Sequence, residues 1–173
     1  MEQTIAVLNQ MKEDGVILNY ALGGAVAALF YMEPIETHDL DVFISLPPKE
    51  DAPLLSLRDV YEHLSGKGYV PGKEDILVEG VPVQFLVAST ALVEEAITSA
   101  SEMQYGAQKV PIMTPEYLAA IMVQLNRPKD RVRLALFLDQ VSLDIQHLGK
   151  ILKEHGLEKK WKRILKEIGH EGR

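Results

Sequence analysis

Val16-Ile17-Leu18-Asn19-Tyr20-Ala21-Leu22-Gly23-Gly24-Ala25-Val26-Ala27-Ala28-Leu29, with the later Thr37-His38-Asp39-Leu40-Asp41-Val42-Phe43-Ile44, decides the fold. Val16 to Leu22 has the apolar content and length of a buried strand, and Gly23-Gly24 breaks it. Ala25 to Met32 is small, apolar and free of breakers, so a helix is expected directly after the glycines. Pro34 should end it, because proline cannot donate the hydrogen bond that a helix interior needs. Leu40, Val42 and Ile44 then alternate with Asp39, Asp41 and Phe43, which predicts a second strand over about 40–46, stopped by Pro47-Pro48.

Side chains two apart on a strand share a face, so the alternation projects Asp39 and Asp41 together and turns Leu40 and Val42 toward the core. Two carboxylates on one face repel unless a cation lies between them. Magnesium prefers carboxylate oxygen and completes its shell with water and phosphate, and manganese behaves similarly. The pair is therefore read as catalytic and metal-ligating for Mg2+ or Mn2+. Gly23 and Gly24 lack a Cβ, so backbone amides can come close to phosphate oxygens at the start of the next helix. Gly-Gly alone marks any tight turn, and Asp-x-Asp alone is more often a solvated face. Strand, Gly-Gly, helix and then Asp-x-Asp on the next strand is far more specific, and it points to a nucleotide triphosphate.

Outward from this centre, Ile5, Leu8 and Met11 place a short amphipathic helix over residues 3–14, ended by Asp14-Gly15. Leu54 to Leu64 reads as a helix. Residues 75–79 and 81–87 read as strands joined by a hairpin turn at Glu79-Gly80. Ser89 is expected to cap a helix reaching about Ala100, and Tyr105 to Met113 to form one strand kinked at Pro111. Thr114-Pro115-Glu116 is a helix start with a capping hydroxyl, proline at the first position and an early acid. Helices follow, broken near Asn126-Arg127-Pro128, Gln140 to Ser142 and Gly156. The prediction is an α+β core over 1–113, with strands 16–22, 40–46, 75–79 and 81–87 in one mixed sheet flanked by helices. A helical C-terminal extension over 114–173 should pack on it.

Composition limits the alternatives. Of 173 residues, 47% are hydrophobic, enough to bury a sizeable core, and no cysteine is present, which excludes disulfides and thiolate chemistry. The formal charge of −7 argues against a nonspecific nucleic-acid coat. From Lys150 onward, eight Lys/Arg face four Asp/Glu, so a basic tail follows an acidic body. A solvated helix face explains that asymmetry, and docking on a partner or nucleic acid would use it. The first residues lack the pattern of a signal peptide and no apolar run is long enough for a membrane helix. A cytoplasmic protein with no membrane association is expected.

With these segments in view, the chain resembles the nucleotidyltransferase superfamily of polymerase-beta-like fold. Within it, the chain is most similar to small prokaryotic nucleotidyltransferases of the AbiEii-like, type IV toxin group. The likeness is carried by Leu22-Gly23-Gly24-Ala25-Val26-Ala27-Ala28-Leu29, Thr37-His38-Asp39-Leu40-Asp41-Val42-Phe43-Ile44 and Arg127-Pro128-Lys129-Asp130-Arg131. The resemblance implies transfer of a nucleotide monophosphate from a nucleotide triphosphate to a protein or RNA acceptor. It also implies a cognate antitoxin-like partner, Lys129 and Arg131 gripping nucleotide, and a third carboxylate on a later strand that takes the acceptor's proton. In Val81-Pro82-Val83-Gln84-Phe85-Leu86-Val87 that third place falls on Gln84, whose amide neither accepts a proton at neutral pH nor binds magnesium well. Glu79 is nearby but belongs to a turn. Relatives often carry a lysine in the helix before the Arg-Pro-Lys-Asp segment, and Ile121-Met122-Val123 has none. The alternative is a pseudo-enzyme that keeps the fold and binds nucleotide or a partner without turnover.

Other residues have two readings. Thr37 is a candidate phosphate contact or a cap at the start of its strand. His38 suits a structural or solvated role. Arg127, Lys129, Arg131 and Arg133 cluster near a helix start, as triphosphate or acceptor contacts or as surface charge. Ser89 and Ser101 have no plausible base, which sets a hydrolase aside. Met32, Met113 and Met122 suit core filling, and Trp161 suits docking of the last helix.

Overall fold

The computed structural model describes residues 1–32, 39–48 and 56–170. Helix α1 (Glu2–Glu13) leads into strand β1 (Asn19–Leu22), helix α2 (Gly24–Ala28) and strand β2 (Leu40–Ser45). Helix α3 (Arg58–Gly66) precedes strands β3 (Ile76–Val78) and β4 (Val81–Val87), then helix α4 (Ala91–Thr98). Strands β5 (Ser101–Tyr105) and β6 (Gln108–Ile112) complete the sheet. Helices α5 (Pro115–Leu125), α6 (Pro128–Gln140), α7 (Ile145–Glu154) and α8 (Glu158–Glu167) follow.

The six strands make one mixed sheet in the order β3-β4-β2-β1-β6-β5. Strands β1 and β2 are antiparallel, which joins the glycine turn to the aspartate strand, while β2 and β4 are parallel with Asp41 opposite Gln84. The β3–β4 hairpin turns through Glu79 and Gly80, both at positive φ (51° and 78°), the geometry of a two-residue hairpin loop.

Several elements differ from the sequence reading. Strand β1 begins only at Asn19, because the amides of Val16 and Ile17 bond to Met11 O and extend the end of α1. Helix α2 is five residues long, and the amides of Phe30 and Tyr31 then reach three residues back, to Ala27 and Ala28. Pro34 and residues 54–55 lie outside the described residues. Helix α3 starts at Arg58. Thr90, not Ser89, caps α4, its hydroxyl accepting the Val93 amide at 3.4 Å. The single strand expected over Tyr105 to Met113 is the second arm of a hairpin turning at Gly106, φ 59°. Its first arm, β5, lies at the sheet edge with mostly exposed side chains, so no apolar alternation announced it.

The core and the helical segment share one apolar cluster. Helix α5 is buried from Glu116 to Val123 and packs on α2 and α4 as well as on α6, α7 and α8. Its one buried acid, Glu116, accepts the Asp144 amide at 2.9 Å, tying α5 to the start of α7. Lys160 of α8 donates to Gln124 O at 2.6 Å, supplying an acceptor at the end of α5 with a cation. Trp161 packs half-buried against the cluster, as expected of it.

Candidate functional site

Gly23, the residue before α2, donates its amide to Asp41 O at 3.0 Å, which locks the glycine turn to β2. Gly24 takes φ 59°, a left-handed conformation open to glycine and strained for other residues. A Cβ there would overlap the Asp41 carboxylate, and a Cβ at Gly23 would run into the Phe43 ring. Both glycines are thus required by side chains of β2 lying over the turn. The space the sequence reading assigned to phosphate is, at these two positions, shared with Asp41 and Phe43.

Asp41 lies half-buried on the face of β2 that also carries Phe43. Burial, and then repulsion from Asp39, raises its pKa above the ordinary aspartate value, while Arg133, Lys129 and Arg127 pull it down. Asp39 immediately precedes β2, close enough for its charge to act on Asp41. The sheet brings Gln84 beside Asp41, and Val83 and Phe85 face the core. Asp41, Gln84, Lys129 and Arg133 line one cavity of about 550 Å³, which runs on between the sheet, α4 and α5.

The Arg127 to Arg133 cluster divides. Lys129 and Arg133 face the cavity. Arg127 lines it too, but its guanidinium is held by Asp130, with Nε to Oδ2 at 2.8 Å and Nη2 to Oδ1 at 3.0 Å. Arg131, expected at the nucleotide, turns away: it pairs with Glu167 of α8 at 2.8 Å and donates to Asn126 Oδ1 at 2.8 Å. Lys129 and Arg133 stand one helical turn apart on the same face of α6, while Arg131, two residues from each, points to the opposite face. Thr37 and His38 lie outside the described residues. Phe43, Thr90 and Gln124 also line the cavity and were not anticipated. Nothing in their local sequence marks them, since β2, α4 and α5 come together only in three dimensions.

Among the described residues, no group of three or more His, Asp or Glu is placed to hold a metal ion. Asp39 and Asp41 offer part of a shell, and a divalent cation would need phosphate oxygens to complete it. The donor chemistry fits on that condition. A cation at Asp41 would also relieve the repulsion that raises its pKa.

The architecture is similar to the crystal structure of an antigenic nucleotidyltransferase-like protein from Paracoccidioides brasiliensis. The TM-score is 0.52 at 15% sequence identity, over 95% of this chain and 93% of that chain. The protein thus has a nucleotidyltransferase-like α+β fold. No family model and no curated protein matches the sequence. Among the described residues, no helix is long and apolar enough to cross a membrane.

Proposed function

We propose that the protein binds a nucleotide triphosphate with Mg2+ or Mn2+ at Asp39 and Asp41, and transfers the nucleotide monophosphate to an acceptor. The observation that carries this reading is the meeting of the Asp41 carboxylate, Gly24, Lys129 and Arg133 at one cavity. Lys129 and Arg133 supply positive charge for phosphate oxygens opposite the carboxylates that would hold the cation. A bound cation would neutralise charge on the pyrophosphate as it leaves. In the transfer, an acceptor hydroxyl oxygen bonds to the α-phosphorus and the bond from that phosphorus to pyrophosphate breaks. The proton goes to water, because Gln84 cannot take it. The AbiEii-like resemblance supports a protein or RNA acceptor and an antitoxin-like partner.

Gln84 favours a second reading. Its amide sits beside Asp41 in strand register, where the resemblance implies a carboxylate. A binding module without turnover follows if that acid is indispensable.

Thermal unfolding with magnesium and each nucleotide triphosphate, followed by label transfer to protein and RNA acceptors, separates these readings. The nucleotide should raise the melting temperature in a magnesium-dependent way, since it binds only the folded state. Changing both Asp39 and Asp41 to Asn should abolish the shift, and Lys129→Ala should weaken it. An undiminished shift in the double variant refutes the assignment. A shift without label transfer in the wild type, with transfer appearing in Gln84→Asp, selects the binding module.

A further inference from the structure

We infer that the part of the same cavity beyond Asp41 and Gln84 is a nucleobase subsite, with the base lying on Phe43 and Leu86 and its polar edge at Gln124 and Thr90. The inference rests on the nucleotide reading above and deepens it. Its basis is the order of chemistry along the sheet.

Asp41 and Phe43 share a face of β2, and strand register sets Gln84 beside the first and Leu86 beside the second. Same-face positions are about 7 Å apart along a strand. One step therefore takes the cavity wall from the charged row, Asp41 and Gln84, to the apolar row, Phe43 and Leu86. Phosphate belongs at the first row, with Lys129 and Arg133, because burying unpaired charge against the second is costly. The apolar row suits a flat ring. Gly23 fixes this surface: the Phe43 ring occupies the space that a Cβ would fill.

Past Val87 the chain leaves the sheet and reaches Thr90, whose hydroxyl donates to Gln124 Oε1 at 3.5 Å. Among the described residues, the Gln124 Nε2 has no acceptor, so a donor remains at this solvent-facing end of the cavity. Lys160 holds the Gln124 backbone by its carbonyl, which positions that residue without using its side-chain amide. Charge, then an apolar surface, then a hydrogen-bonding end is the order along a nucleotide: phosphates, sugar and base face, base edge. The volume, about 550 Å³, lies within the range of small-molecule sites.

The test is calorimetric titration of ATP, GTP, CTP, UTP and inorganic tripolyphosphate, each with magnesium, into wild type, Phe43→Leu and Gln124→Leu. Circular dichroism checks that each variant is folded. At least one nucleotide should bind about tenfold tighter than tripolyphosphate, the gain expected from stacking on an aromatic side chain. Phe43→Leu should cut nucleotide affinity about fivefold or more and leave tripolyphosphate unchanged. Gln124→Leu should narrow the differences among the four bases. Should Phe43→Leu fail to fold, Gln124→Leu carries the test alone. Nucleotides binding no tighter than tripolyphosphate, or variants shifting both equally, would overturn the subsite while leaving the phosphate site standing. Failure of every nucleotide and of tripolyphosphate to bind the wild type would overturn the nucleotide reading itself.

Discussion

Asp41 and Asp130 line the same cavity, yet their surroundings are opposite. Asp130 is 3% exposed, and its carboxylate accepts the Arg127 amide at 2.9 Å and grips the Arg127 guanidinium through both oxygens. It caps α6 and neutralises its neighbour. Asp41 has repulsion from Asp39 on one side, a glycine beneath it, and cations of α6 that act on it through space. The difference separates a carboxylate whose bonds are made within the fold from one left to bond something else. It also explains why Arg127, though at the cavity, is less available to ligand than Lys129 and Arg133.

The strongest way to sharpen that comparison is to break the satisfied site. Asp130→Ala removes a buried carboxylate from a bidentate pair and strips the α6 cap. It should destabilise by about 2–3 kcal/mol, with losses of caps and buried pairs as the guide. In a chain of this size the melting temperature should fall by roughly 5–10 °C. Thermal unfolding without ligand measures it. A drop below about 2 °C would show that Asp130 is not holding α6 in place.

Next in size is Gly24→Ala, which adds a methyl group against the Asp41 carboxylate and a side chain at positive φ. A loss of about 1–3 kcal/mol is expected from strain of this kind. Combining it with Asp41→Ser should recover part of the loss by clearing the overlap, leaving the backbone strain. Strictly additive losses in the double variant would mean the two residues do not touch.

The smallest effect should have the opposite sign. Asp41 has a folded-state pKa above its unfolded value, so the folded protein binds more protons through that interval and stability falls as pH rises across it. The penalty is absent below the ordinary aspartate pKa and complete above the raised one. Asp41→Asn should therefore melt slightly higher than wild type at neutral pH without metal, and the gap should close in acid. A variant that melts lower at neutral pH would place Asp41 with Asp130, among the structural acids. The same change should weaken magnesium-dependent nucleotide binding, so stability and function part at this residue.

The sequence by itself determined the local chemistry. Breaker glycines, period-two alternation and Pro115 at the head of α5 fix elements through neighbouring residues alone, so β2, β4, the Glu79-Gly80 turn and the start of α5 were legible, although the Thr114 hydroxyl expected to cap α5 makes no such bond. The sharing of a sheet face by Asp41 and Gln84 was legible for the same reason: alternation fixes orientation once the strands are known. Edge strand β5 was not, because its exposed side chains carry no burial pattern. Tertiary structure alone decided which cations meet Asp41. Lys129, Arg131 and Arg133 differ little in local sequence, but packing of α6 turns Arg131 to Glu167 and the other two to the cavity. It likewise decided that Phe43 and Gln124 share that space, since long-range packing leaves no mark on a residue's own neighbours in the chain.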